Sequence, residues 1–210
     1  MRLAVCRFDE QCDIETALMH LSQAGLSDKE CTRLREMRHP SARAASIAAR
    51  LSLLWALASD DGTLTVHAFD ERPPIEGNPL DSFRRTEQGP LLEGRSLGIS
   101  FAHSGPLAVC AVAEGLRVGV DIERLDRAVR LTKTPPWLFS PGETALLDAA
   151  DDKRAAFLRI WTRKEAMGKA LGTGLHHTAT ALDTIAHHFD EYTVEGALIS
   201  VFSDGTEGKP

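Results

Sequence analysis

The 210-residue sequence predicts an α+β fold, and three observations carry that expectation. Residues 40–59, PSARAASIAARLSLLWALAS, read as one long alanine-rich helix. LGISFAH, LAVCAVA and RVGVDIE read as strands joined by short turns, a β-meander. LAVCAVAEG and ALISVFSDG look alike, each apolar and closing on an acid and a glycine, which points to two related halves meeting near Leu116.

The remaining elements follow in order. Residues 1–8 alternate weakly and suit a strand. Residues 14–24 and 27–37 suit helices, opening on an Asp or a Ser that can cap the first turn. Pro40 sits where the first turn of a helix tolerates it. A short strand is expected over 64–69. Residues 70–95, with four prolines, read as a long irregular connection. After a basic loop over 124–140, Ser140-Pro141-Gly142-Glu143 is a helix start with Ser140 as cap, and helices are expected over 141–150 and 153–171. YTVEG and ALISVFS are a closing strand pair.

Composition narrows the class. Charged residues at 26% and hydrophobic ones at 43% are those of an ordinary globular protein. No apolar run approaches the ~20 residues of a membrane span, and MRLAVCRFDE has no signal-peptide apolar segment. Four cysteines without CxxC or zinc-finger spacing imply reduced thiols in a cytoplasm. A net charge of −6 argues against nucleic acid as a partner. The charge is uneven, however: residues 33–50 hold five arginines, His39 and a single acid, Glu36. Arginine's planar fork suits phosphate, so an anionic ligand is expected there.

In RVGVDIE, a strand would turn Val118, Val120 and Ile122 toward a core. Gly119, Asp121 and Glu123 would then share the other face, two carboxylates beside a glycine that leaves room for a ligand. That pattern fits a hard cation, or else a solvated strand end. WTRKEAMGKALGTGL adds a third carboxylate, Glu165, with Lys169 one helical turn on and Lys164 alongside. Three carboxylates could hold Mg²⁺ while the lysines neutralise phosphate and Trp161 packs the helix on the sheet. Glu165 and Lys169 could equally form an ordinary surface ion pair. His103, at a strand end, could donate to phosphate or cap its turn. The pairs His176-His177 and His187-His188 suit solvated loops.

FAHSG, VGVDIE, WTRKEAMGK and GTGL, in that order and spacing, resemble the 4′-phosphopantetheinyl transferases of the Sfp type, over residues 30–175. The resemblance implies two similar α+β halves related by a pseudo-twofold, with a ligand cleft between them. Residues 1–115 would carry the basic helices and the His strand, and residues 116–210 the DxE strand and the WxxKExxxK helix. It implies transfer of 4′-phosphopantetheine from coenzyme A to a serine of an acyl or peptidyl carrier protein, by a cytoplasmic monomer. Asp121, Glu123 and Glu165 would hold Mg²⁺, and Lys169 would contact the pyrophosphate with Lys164 nearby. His103, Arg38 and Arg43 would bind phosphates of coenzyme A. Asp121, Glu165 and Lys169 are the expected catalytic groups, with Glu165 or a metal-held water as base. Arg124, Arg127, Arg130 and Lys133 are the expected docking surface for the carrier. Two departures stand out: Ala102 where many members have serine, and Gln88-Gly89-Pro90 where a Gly-Lys-Pro is common. A non-catalytic coenzyme A or carrier-binding module, or a metal-dependent phosphohydrolase, are the rival readings.

Overall fold

A computed structural model describes residues 1–9, 11–60, 62–129, 136–174 and 182–205. The fold is a mixed α+β one. Strand β1 (Arg2–Arg7) precedes helices α1 (Ile14–Gln23), α2 (Asp28–Arg35) and α3 (Pro40–Ala58). Strands β2 (Leu64–Ala68), β3 (Phe83–Thr86), β4 (Gly89–Leu92), β5 (Leu97–Ser104), β6 (Leu107–Glu114) and β7 (Arg117–Arg124) follow. Helices α4 (Pro141–Ala149) and α5 (Lys153–Leu171) then lead to β8 (Asp190–Val194) and β9 (Ala197–Asp204).

Helix starts fall where the side chains dictate. Asp13 accepts from the Thr16 amide and Ser27 from the Glu30 amide, satisfying amides that a first turn leaves unpaired. At α4, Ser140 and Glu143 bond each other's backbone amides in a full capping box, with Pro141 inside the first turn. Gly172 ends α5 in the left-handed conformation, at φ +68°.

Two expectations need correction. The meander is broken: β5 and β6 pair antiparallel, but β7 leaves that sheet and pairs with β9. The first sheet runs β2-β1-β6-β5 and another β7-β9-β8. Residues 70–95 are also not wholly irregular, because β3 and β4 form a hairpin there. Its turn, Glu87-Gln88, lacks the Asn-Gly or Asp-Gly signature of tight hairpins, and Pro90 lies within a strand.

The core explains the layers. Along β1 and β6, Ala4, Cys6, Ala108, Cys110 and Val112 pack with α1–α3. Leu3, Val5, Leu107, Val109 and Ala111 face Val118, Val120, Ile122, Ile199 and Val201 of the β7-β9 sheet. Period-two alternation thus buries both faces of the first sheet. The far face of the second sheet is covered by α5, where Ala166, Met167 and Ala170 meet Phe202. No described helix is long and apolar enough to cross a membrane.

Gly119 is where α5 rests on the strand. A Cβ there would lie 1.8 Å from the Ala166 carbonyl oxygen and 2.6 Å from the Ala170 amide nitrogen, both backbone atoms. Such overpacking cannot be relieved by rotating a side chain. Gly119→Ala should therefore cost ~2 kcal/mol or more, lowering Tm by about 5 °C or more, as read by thermal unfolding. An unchanged Tm would mean that the helix has room to lift.

Candidate active site

The alternation expected for β7 holds, but Gly119 leaves room for a helix and not for a ligand. The space beside Gly119 is filled by the backbone of α5. One pleat further on, Asp121 is only 9% exposed, and its carboxylate Oδ1 accepts from Lys169 Nζ at 2.8 Å. Lys169 also donates to the Val120 carbonyl at 3.0 Å. Burial pushes the Asp121 carboxyl above the ordinary range, and the Lys169 ammonium opposes that rise. Glu123, also buried, accepts from the Ser104 hydroxyl at 3.0 Å on Oε2 and from Arg127 on Oε1.

On helix α5 Glu165 is half-buried and Lys169, one turn on, reaches β7. Trp161 departs from expectation. It stacks on Phe157, with centroids 6.0 Å apart, and Phe157 meets Phe139 edge to face. The indole thus packs toward the segment before α4, while Thr162, Ala166 and Ala170 are among the residues that meet the sheet, the Thr162 hydroxyl lying 2.9 Å from that of Ser200. The glycines after the helix shape its end: Gly172 caps it, and Gly174 folds back to within about 3.5 Å of a Cβ at Gly168.

Lys164 is wholly buried, with Nζ 2.8 Å from Glu143 Oε2 and 2.6 Å from the Leu182 carbonyl. Glu143 also accepts from the Ser140 amide and from the amide and hydroxyl of Thr184. The expected phosphate contact of Lys164 therefore has no support in this geometry. Its ammonium ties α5 to α4 and to the returning chain, because a buried lysine needs a counter-charge and full hydrogen bonding.

His103 stands at the end of β5. Odd-numbered residues there, Ile99 and Phe101, pack toward the helices of the first core. Even-numbered residues turn to β7, where Ser100 accepts from the Val120 amide and Ser104 from the Arg124 amide. His103 lines a cavity of about 200 Å³ with Arg33, Ser46, Arg50, Arg85 and Thr86. Gly89 and Pro90 of β4 form part of its wall, so the Gln88-Gly89-Pro90 stretch noted in the sequence lies beside the histidine. A wider depression of about 1300 Å³ lies at the other end of β5 and β6, near Leu97 and Glu114.

Arg38 and Arg43, the arginines expected to bind phosphate, lie away from the cavity at His103. Arg38 is exposed before α3, and Arg43 donates to the Arg35 carbonyl at 3.2 Å; neither lines the cavity. Arg33 and Arg50 do, and both belonged to the same arginine-rich stretch. Helical phase decides between them: Ala45, Ser46, Ala49 and Arg50 share the cavity-facing stripe of α3. Arg85 comes from the hairpin that the sequence did not announce. Of the docking residues, Arg124 pairs with Asp126 and the Glu195 carbonyl, and Arg127 with Glu123. Arg130, Lys133, His176 and His177 lie outside the described residues, while His187 and His188 are exposed, as expected of solvated loops. Among the described residues no three His, Cys, Asp or Glu side chains gather as a metal-holding group.

Residues 117–205 match the family model of the 4′-phosphopantetheinyl transferase superfamily. The chain is 36% identical over 101 residues to the 4′-phosphopantetheinyl transferase HetI of Nostoc sp., covering 47% of this chain and 40% of that protein. It is 35% identical over 99 residues to the 4′-phosphopantetheinyl transferase AcpT of Salmonella typhi, covering 45% and 52%. A putative 4′-phosphopantetheinyl transferase of Synechocystis sp. is 26% identical over 166 residues, covering 78% and 64%. The matches thus span about half the length of the first two relatives.

The buried pair makes a direct expectation. Lys164→Met would leave the Glu143 charge buried with only neutral donors, at a cost of ~3 kcal/mol or more in urea unfolding. A loss below ~1 kcal/mol would show that Ser140 and Thr184 suffice for Glu143.

Proposed function

We propose that this chain, whose residues 117–205 match the family model of the 4′-phosphopantetheinyl transferase superfamily, is a member of it and moves the 4′-phosphopantetheine of coenzyme A onto a serine of an acyl or peptidyl carrier protein. The observation that carries this reading is the buried acid pair of β7 facing the Lys169 stripe of α5, next to a cavity rich in arginine. We read the chain as two related halves, 1–115 and 116–210, with the ligand cleft between them. The packing of α3 on the first sheet and of α5 on the second supports that reading. We take the protein to act as a cytoplasmic monomer.

In the reaction, the serine oxygen attacks the phosphorus that bears the pantetheine arm. The P–O bond to the adenosine bisphosphate breaks, and the leaving phosphate takes the electron pair. The hydroxyl proton passes to a base, for which Glu165 is the candidate on this chain. Arg33, Arg50, Arg85 and His103 would receive phosphate groups of coenzyme A by charge-assisted hydrogen bonds. Arg38 and Arg43 could join them only from outside the cavity wall. Lys169 would stabilise charge on the pyrophosphate as it grows toward the transition state.

The all-oxygen set of Asp121, Glu123 and Glu165 is of the chemical type that holds Mg²⁺. Bound there, the ion would neutralise pyrophosphate oxygens. In the structure Asp121 and Glu123 are instead neutralised by Lys169 and Arg127. Positioning and charge neutralisation are most of what such a transfer asks of a protein.

Incubation with coenzyme A, Mg²⁺ and an apo carrier, followed by intact-mass measurement of the carrier, tests the proposal. The carrier should gain one phosphopantetheine. Asp121→Asn should slow the gain by roughly a hundredfold or more, the scale of losing charge stabilisation at a transition state. Arg85→Ala should raise the KM for coenzyme A with little change in kcat, because it acts on bound substrate and transition state alike. No mass gain on acyl or peptidyl carriers, with coenzyme A bound nonetheless, would leave a binding module as the function.

A further inference from the structure

The two carboxylates of β7 already hold cations that belong to the protein. Lys169 Nζ sits 2.8 Å from Asp121 Oδ1, and Arg127 bonds Glu123. The lysine is the more exposed partner of its pair, with 32% of its side chain accessible against 12% for Asp121. A carboxylate this buried is costly without a counter-charge. The helix that carries the lysine is held by the backbone contact at Gly119, by Thr162 on Ser200 and by Lys164 on Glu143. The lysine side chain, whose four-carbon stem is flexible, is thus the part that rearranges at least cost.

We propose that Lys169 is the resting counter-ion of Asp121, and that a divalent cation binds this site by exchange with it. The ion takes the Asp121 oxygen as the ammonium leaves it, so the buried carboxylate is never without a positive charge. The released ammonium, still tethered to α5 beside β7, is then available to an anion bound next to the ion. Lys169 thus has two successive partners, and its hold on Asp121 weakens metal binding until that anion arrives. This inference rests on reading Asp121 as a metal carboxylate.

Manganese binding to the purified protein, followed by the paramagnetic resonance of the free ion at neutral pH, separates the two ideas. If the lysine occupies Asp121 about nine-tenths of the time, Lys169→Gln should bind Mn²⁺ about tenfold more tightly than wild type. Lys169→Arg, which keeps a cation in place, should bind close to wild type. Asp121→Asn should lose the site. An unaltered or weakened affinity in Lys169→Gln, with Asp121→Asn still abolishing binding, would overturn the exchange and leave the metal reading standing. Unaltered binding in Asp121→Asn would overturn both. A second measurement needs no variant and excludes a mere change of local field. Acetylation of Lys169 by a soluble amine reagent, read by peptide mass, should rise as Mn²⁺ saturates the protein. Labelling that does not respond to Mn²⁺ would overturn the exchange even if Lys169→Gln binds more tightly.

Discussion

The descent of α5 onto β7 at Gly119 is the constraint from which the candidate site takes its shape. A strand residue without a side chain lets the Ala166 carbonyl come where a Cβ would otherwise be. The small residues Ala166 and Ala170 complete the close approach from the helix side. Because the backbones are this near, Lys169 of α5 spans the remaining distance to Asp121 with its stem. A larger residue at 119 would lift α5 and carry the ammonium out of range. The contact also decides the fate of the neighbouring positions. Val118 and Val120 face the first sheet, and Asp121 is buried not because carboxylates favour burial but because the helix lies over it.

A second constraint joins the acid strand to the histidine strand. β5 and β7 run alongside each other at a constant offset of 20 residues, through Ser100 to Val120 and Ser104 to Arg124. Their link is made by serine hydroxyls accepting backbone amides. Gly98 permits it, since a Cβ there would lie 2.2 Å from the Leu116 carbonyl oxygen. Ser104 then does a further task by donating to Glu123. Successive residues of one strand end therefore serve two places: His103 lines the cavity, and Ser104 orients an acid of β7. The cavity and the acid pair are held together by a pleat.

How much of this the sequence disclosed depends on the range of the forces involved. Caps and helix spans were legible, because Ser140-Pro141-Gly142-Glu143 acts within four residues of itself. The inward face of β7 was legible from its valines. The destination of β7 was not, since short turns suggest a meander and only the long-range pairing with β9 shows otherwise. The β3–β4 hairpin was hidden by a turn without the usual residues and by exposed Arg84 and Arg85. Arg85 was lost from the site with it. Helical spacing already set Lys169 on the Glu165 stripe and Lys164 beside it; what it could not give is the partner, Glu143 for the buried Lys164 and the acid strand for Lys169. Gly119 was noticed, but a glycine on a strand face fits a ligand or a helix equally well until the helix is placed.

Charge distribution explains how a chain of net charge −6 can still concentrate positive charge at one cavity. Most described arginines near acids are already neutralised. Arg35 holds Glu15, Arg124 holds Asp126, and Arg159 and Arg163 share Glu191. Burial would raise the Glu191 carboxyl, but those two guanidinium groups override it and bring it down to about 2. The cavity at His103 is balanced differently. Among the described residues Glu30 is the one acid paired with both Arg33 and Arg50, and Arg85 adds a third cation to the same wall. Burial draws Arg50 down to about 10, so it stays charged at neutral pH while lying against the rings of Phe83 and Phe101. Its Nε has no hydrogen-bond partner among the described residues. Two guanidinium groups against one acid, with Arg85 alongside, leave a positive surplus concentrated at the end of β5. An overall negative charge therefore does not oppose a polyanionic substrate here, because screening over a Debye length of ~8 Å leaves the local surplus to decide.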